Sequence, residues 1–209
     1  MTFNTKGEYT AYMKKEQLRE IYLAKRKALK RGERVAKNQA IIDGFLELFQ
    51  TSHPQYLHVF LPILKNKEID TWPIIQTIWE HFPNTTIVTS VTDFAAKTMR
   101  NYQLKPATQL VTNRWGISEP SEAEPIADLA IDWVLVPLLC FDKEGFRVGY
   151  GGGFYDRFLQ KCRSDVKKTG VSWFPPVQNI VDIDAYDVPL DDCITPAGMY
   201  EFASAKKIS

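Results

Sequence analysis

The stretch WVLVPLLCFDKEGFRVGYGGGFYDRFLQKC, Trp133–Cys162, decides the fold. Its first part, Trp133 to Phe141, is apolar throughout, as a strand buried on both faces of a sheet must be. A turn at Asp142 to Gly145 leads into the run Arg147, Val148, Gly149, Tyr150, Gly151, Gly152, Gly153, Phe154, Tyr155, Asp156, and a short helix is predicted from Phe154 to about Cys162. Strand, glycine run and helix in that order form the place where open α/β sheets gather ligands, beyond the carboxyl ends of their strands. Consecutive glycines let backbone N–H groups approach anionic oxygens closely, so a phosphate is the natural guest. The run is not GxxxxGK[ST], because Phe154 and Tyr155 follow the last glycine, and not GxGxxG, because Phe154 stands at the third glycine counted from Gly149. Glycine content alone also fits a tight turn with bulge glycines.

Working outward, the periodicity predicts a basic amphipathic helix from Met13 to about Arg31, with Leu18, Ile21, Tyr22 and Leu29 on its apolar stripe and Gly32 just beyond. Lys15 and Arg19, one turn apart, flank that stripe together, which suits a pair of cations aimed at phosphates across a cleft; a solvated helical face is the plainer reading. A second helix is predicted over Val35 to Phe49, with Ile41, Ile42, Phe45, Leu46 and Phe49 as its apolar face. Tyr56 to Leu64 reads as a strand, Asp70 or Thr71 caps a helix with Pro73 near its start, and Thr85 to Val91 reads as the next strand, giving a βαβ unit. Lys97 to Leu110 reads as an antiparallel pair or a crossing strand. Thr169 to Phe174 is strand-like, and an acidic segment with Asp182, Asp184, Asp187, Asp191 and Asp192 follows. The alternation predicts one α/β domain over residues 1–209, three layers deep, around a largely parallel, mixed sheet.

The formal net charge of +1 argues against a dedicated nucleic-acid binder, yet it averages unlike ends. Residues 1–37 carry 11 basic and 4 acidic groups, whereas residues 116–209 carry 9 and 15. Residues 1–17 contain no apolar core of a secretory leader, and no apolar run approaches the roughly 20 residues that span a bilayer, so a cytoplasmic protein without a membrane partner is expected. Cys140, Cys162 and Cys193 lie too far apart for a zinc motif and read as buried thiols. His53, His58 and His81 have no neighbouring nucleophile signature, and there is no GxSxG. Asp156, in the first turn after the glycines, is either a partner of the helix dipole or, for a polyphosphate guest, a Mg²⁺ ligand completed by one of the late aspartates.

Val136 to Leu159, VPLLCFDKEGFRVGYGGGFYDRFL, resembles the signature region of the 5-formyltetrahydrofolate cyclo-ligases, also called 5,10-methenyltetrahydrofolate synthetases. The resemblance continues in order through KEQLR at Lys15 to Arg19, EIDT at Glu68 to Thr71, Trp115-Gly116 and DVPLD at Asp187 to Asp191. It implies a monomeric α/β enzyme that uses Mg-ATP to convert 5-formyltetrahydrofolate to 5,10-methenyltetrahydrofolate. By the same resemblance, Lys15 and Arg19 would bind ATP phosphates, and Arg147, Gly149, Tyr150, Gly151, Gly152, Gly153, Phe154 and Tyr155 would cradle the triphosphate. Asp156 and Asp187 would hold Mg²⁺; Leu61, Glu68, Trp115 and Tyr155 would line the folate pocket. Some members carry basic residues where this loop has Tyr150 and Gly152, which shifts neutralisation onto Arg147, Arg157, Lys15 and Arg19. The alternatives are a relative of sugar-phosphate isomerases or acyl-CoA transferases, weakened by the lack of an isomerase base motif, and a non-catalytic nucleotide- or RNA-binding module, weakened by the acidic last third.

Overall fold

The computed structural model describes residues 12–203. Residues 1–11, on which most of the reading of a leader rests, lie outside the described residues.

Helix α1 (Lys15–Ala28) is followed after two extended residues by α2 (Arg31–Phe49), then β1 (Tyr56–His58), α3 (Trp72–His81), β2 (Thr86–Asp93) and β3 (Thr98–Gln103). The chain continues through β4 (Pro125–Ile126), β5 (Trp133–Pro137), α4 (Phe154–Leu159), β6 (Lys167–Val171), β7 (Asp192–Thr195) and β8 (Gly198–Glu201). These strands form one 8-stranded sheet in the order β8-β7-β6-β5-β1-β2-β3-β4. The five central strands from β7 to β2 run parallel, while β8, β3 and β4 are antiparallel additions at the edges. The expected mixed, mostly parallel α/β sheet is therefore present.

Alternation along the central strands builds the layers. In β5, Trp133 and Leu135 face the core beneath α2 and α3, while Val134 and Val136 face the opposite core, which α4 covers with Phe158 and Leu159. Trp133 anchors the larger core: it stacks on Phe49 at 5.7 Å, packs on Phe45 at 5.2 Å, and donates its indole N–H to Thr169 Oγ1 at 2.8 Å. Burying each such side chain contributes about 1.5–3 kcal/mol. Helix α1 closes a third cluster, in which Leu18 and Tyr22 pack on Leu139, Cys140, Val148 and Ile180.

Several predicted boundaries move. The basic helix stops at Ala28 rather than Arg31, and Gly32 lies inside α2, which begins at Arg31 rather than Val35. The stop is tertiary: Lys67 Nζ donates to the carbonyls of Lys27 and Leu29 and takes over the end of α1. Ile21, assigned to the apolar stripe, is 37% exposed. The apolar run from Trp133 breaks at Pro137, and Cys140–Phe141 pairs instead with Arg147–Val148 in a small hairpin. Proline cannot donate to a ladder, so the chain leaves the sheet there. Strand β1 likewise ends at His58; beyond it the Phe60 carbonyl accepts from Thr71 Oγ1. Helix α4 ends at Leu159, short of Cys162.

Candidate active site

Where β1, β5 and β2 end, the sheet opens into a cavity of about 1170 Å³. Every residue that the resemblance assigns to the site lines it: Lys15, Arg19, Leu61, Glu68, Trp115, Arg147, Gly149 through Tyr155, Asp156 and Asp187. One wall is α1. Its N-terminus is capped from the far end of the chain, the Lys15 backbone N–H donating to Asp182 Oδ1 at 2.7 Å. The Lys15 ammonium pairs with Asp187 and lies 3.9 Å from Asp184. Arg19, one turn on, donates from Nε to the Gly149 carbonyl at 3.0 Å. The acidic late segment thus meets the basic first helix at the cleft.

The glycine run forms the floor between these groups. Gly151 (φ 92°) and Gly153 (φ 63°) adopt left-handed backbone that L side chains rarely take, and a Cβ at Gly151 would sit 3.2 Å from the Arg19 guanidinium carbon. The bulge-glycine and ligand-loop readings therefore coincide in one segment. Arg157 reaches back to the Gly152 carbonyl at 2.5 Å and to the Lys97 carbonyl at 2.8 Å. Arg147, expected to neutralise phosphate, turns inward. Its guanidinium donates to Asp156 Oδ1 at 2.8 Å and to the Val188 carbonyl, and burial lowers its pKa against the opposing pull of Asp156 and Asp187. Asp156 Oδ1 also accepts from the Val188 N–H at 3.1 Å.

The opposite wall suits a flat heteroaromatic ligand. Trp115 sits at the tip of a hairpin whose arms are Leu110–Thr112 and Ser118–Pro120, held by Asn113 Oδ1 accepting from the Trp115 and Ile117 N–H groups. It is 45% exposed and packs on Phe94 at 5.2 Å, which in turn meets Phe154 at 5.5 Å. At the back lies Glu68, 8% exposed, whose Oε2 accepts from the Ile63 N–H at 2.7 Å and whose Oε1 accepts from the Tyr150 hydroxyl at 2.6 Å. Burial raises the Glu68 pKa, opposed by those two hydrogen bonds and by Arg26.

Two contributors escape the sequence reading. Arg26 is 4% exposed and donates to the Tyr150 hydroxyl oxygen at 2.8 Å and to the Leu138 carbonyl at 2.5 Å. The available signal was spacing, since Arg26 lies two helical turns beyond Arg19 and shares its face. His58 is wholly buried beside Tyr155 and Phe158, and desolvation lowers its pKa to about 3. Its neutral ring ends a polar chain in which Asn101 donates to Asp128 at 2.7 Å, Ser90 donates to Asn101 at 2.6 Å, and His58 Nε2 lies 2.7 Å from Ser90 Oγ. That order of donors makes Nε2 the protonated nitrogen. The three cysteines are buried and none lines the cavity; burial pushes the Cys140 and Cys162 thiols up to about 12. Among the described residues there is no group of three or more His, Cys, Asp or Glu placed to hold a metal ion, and no helix long and apolar enough to cross a membrane.

Comparison with known proteins gives this geometry its family. The 5-formyltetrahydrofolate cyclo-ligase of Escherichia coli (strain K12) is 31% identical over 139 residues, covering 65% of this chain and 75% of that protein. The mitochondrial 5-formyltetrahydrofolate cyclo-ligase of Arabidopsis thaliana is 27% identical over 209 residues, covering 88% of this chain and 76% of that protein. The solved structure of Aquifex aeolicus 5,10-methenyltetrahydrofolate synthetase superposes with a TM-score of 0.73 at 27% identity, over 93% of this chain and 96% of that one. The Mycoplasma pneumoniae 5,10-methenyltetrahydrofolate synthetase shares the fold, with a TM-score of 0.69 at 21% identity. With the description 5-formyltetrahydrofolate cyclo-ligase family matching residues 11–196, nearly the whole fold just described, the chain belongs to that family.

Proposed function

We propose that the protein converts 5-formyltetrahydrofolate to 5,10-methenyltetrahydrofolate, using Mg-ATP and releasing ADP and phosphate. The observation that carries this reading is the meeting, in one cavity, of a cation row on α1, a glycine loop, and a buried carboxylate with an aromatic wall. The first two suit a polyphosphate; the last two suit the donor edge and faces of a reduced pterin.

The chemistry asks for such parts. A formamide oxygen is a poor leaving group, so it must be activated before N10 can close the ring. The γ-phosphoryl group of ATP passes to the formyl oxygen, giving an imidate phosphate and ADP. N10 then attacks the formyl carbon and gives up its proton to solvent, and the carbon–oxygen bond breaks with departure of phosphate. This needs alignment and charge neutralisation rather than a protein nucleophile. Lys15 and Arg19 would meet the phosphates, which compete with Asp187 and the Gly149 carbonyl for them. Leu61, Trp115 and Tyr155 would pack against the folate while Glu68 accepts from its donor edge.

Two carboxylates beside a phosphate loop are a donor set that fits Mg²⁺, which takes most of its ligands from phosphate and water. Asp156 and Asp187 would hold the ion, and Mg²⁺ supplies further neutralisation of the phosphates when bound. The protein would act as a monomer in the cytoplasm. Lys15, Arg19 and Arg26 are engaged toward the cleft, which supports a small-molecule partner over nucleic acid or membrane.

The test mixes the protein, Mg-ATP and 5-formyltetrahydrofolate, and follows methenyltetrahydrofolate absorbance together with ADP. Folate-dependent ADP release matched by methenyl product is expected; none from folded protein overturns the reading.

A further inference from the structure

The loop Gly149–Gly153 carries a single side chain, that of Tyr150, and its hydroxyl bonds outside the loop. Its hydroxyl crosses to Glu68 Oε1 at 2.6 Å and receives Arg26 Nη1 at 2.8 Å. A guanidinium can only donate, so the Tyr150 oxygen accepts from Arg26 and its proton must go to Glu68. The order of the chain is thereby fixed: buried cation, phenol, buried carboxylate.

We propose that Tyr150 is a positioning residue for Glu68: it aims and polarises the carboxylate that receives the pterin edge, and it does so from the phosphate loop. The inference rests on the folate reading of the Glu68 pocket and gives Tyr150 a role beyond cradling phosphate. A carboxylate has about four acceptor positions. Two on Glu68 are filled by Ile63 N–H and Tyr150 O–H, which hold the side chain in one orientation and leave the remainder for a ligand. The charged and titratable groups that face Glu68 are Arg26 from α1, Tyr150 from the loop and Tyr155 from α4. Arg26 favours the carboxylate form of Glu68 across a hydrogen-bonded bridge through Tyr150, so removing the phenol hydroxyl strips a desolvated carboxylate of one of its two hydrogen bonds.

The test is Tyr150→Phe, which keeps the ring at a half-exposed position and deletes the bridging oxygen. In ligand-free protein, Glu68 is followed by infrared difference titration against Glu68→Gln as the blank. Its midpoint should rise by about one pH unit in Tyr150→Phe, the usual scale for losing one hydrogen bond to an ionised group. With ligands, the dissociation constant for 5-formyltetrahydrofolate should rise about tenfold at neutral pH, with the acid limb of turnover moving upward and the KM for ATP changing by less than threefold. Arg26→Lys, which keeps the charge but loses the fork, should shift the Glu68 midpoint in the same direction. An unmoved Glu68 midpoint in a folded Tyr150→Phe protein overturns the role of Tyr150, whatever the ligand. A moved midpoint in a protein whose wild type binds no reduced folate overturns the folate reading instead, and with it the ligand-facing half of the proposal.

Discussion

Lys15 and Asp187 stand 172 residues apart in sequence and form an ion pair at the mouth of the cleft. A phosphate that takes the Lys15 ammonium therefore competes with a carboxylate already in place. Lys15→Ala should raise the KM for ATP about tenfold, the lower end of the loss of a charged hydrogen bond, and leave 5-formyltetrahydrofolate affinity within twofold. Steady-state kinetics with each substrate varied in turn provides the check, and an unchanged ATP dependence would return α1 to a packing role.

Asp156 does more than face the loop. It neutralises Arg147, whose side chain is 6% exposed, and binds the backbone at Val188. Asp156→Asn should thus lose stability as well as turnover. A cost of about 2 kcal/mol, with a fall in Tm of roughly 4–8 °C, is expected from leaving that buried cation without its charge partner. Thermal melts without Mg²⁺ or ATP separate this from any metal effect; an unchanged Tm would mean that Arg147 finds another counter-ion.

His58 sets a pH limit on stability. Its folded pKa is about 3, below the ordinary 6.5, so between these values the unfolded chain binds a proton that the folded one refuses. The contribution is fully present above pH 6.5 and is lost as pH falls toward 3, with a slope of at most about 1.4 kcal/mol per pH unit. Urea melts between pH 7 and 5 should show a steeper decline for wild type than for His58→Gln. Glu68, Asp142 and Asp192, all raised by burial, act in the opposite sense at the acid end and cancel in that comparison. Parallel declines in the two proteins would contradict the assignment.

Trp115 is exposed at a hairpin tip, so its contribution to folding is small, while on the proposed reading its contribution to a bound pterin would be large. Trp115→Ala should weaken 5-formyltetrahydrofolate binding about tenfold, the scale of one lost aromatic contact with its area, while Tm moves by less than about 2 °C. Equilibrium binding and a melt on the same sample decide it; a large fall in Tm would make Trp115 a core residue of the hairpin instead.

What the sequence made readable was local. Glycine announces its own conformational use, and Gly151 and Gly153 do take positive φ. The run Trp133–Pro137 needed both faces covered, and it lies at the centre of the sheet. Leu18 and Tyr22 declared the buried stripe of α1 by spacing, and the same spacing put Lys15 and Arg19 beside the cleft. What stayed hidden depends on distant partners. Gly32 looked like a helix stop, yet α1 ends because Lys67 reaches its last carbonyls. Arg147 was readable as a cation of the loop, but not its bonds to Asp156 and the Val188 carbonyl. No local pattern encodes Arg26 meeting Tyr150, because that contact exists only once the two segments have packed.

Helix α1 is held at its start by Asp182 and at its end by Lys67, neither of which is its neighbour in sequence. At 14 residues it is near the lower limit for a helix in water without tertiary support. Its cations therefore reach their places late. During synthesis the first helix emerges long before the aspartate that caps it, and the row Lys15, Arg19, Arg26 stays unassembled until the chain beyond residue 180 folds back. On the proposed reading, an incomplete chain would therefore lack the cation row that a polyphosphate needs and would leave nucleotide unbound.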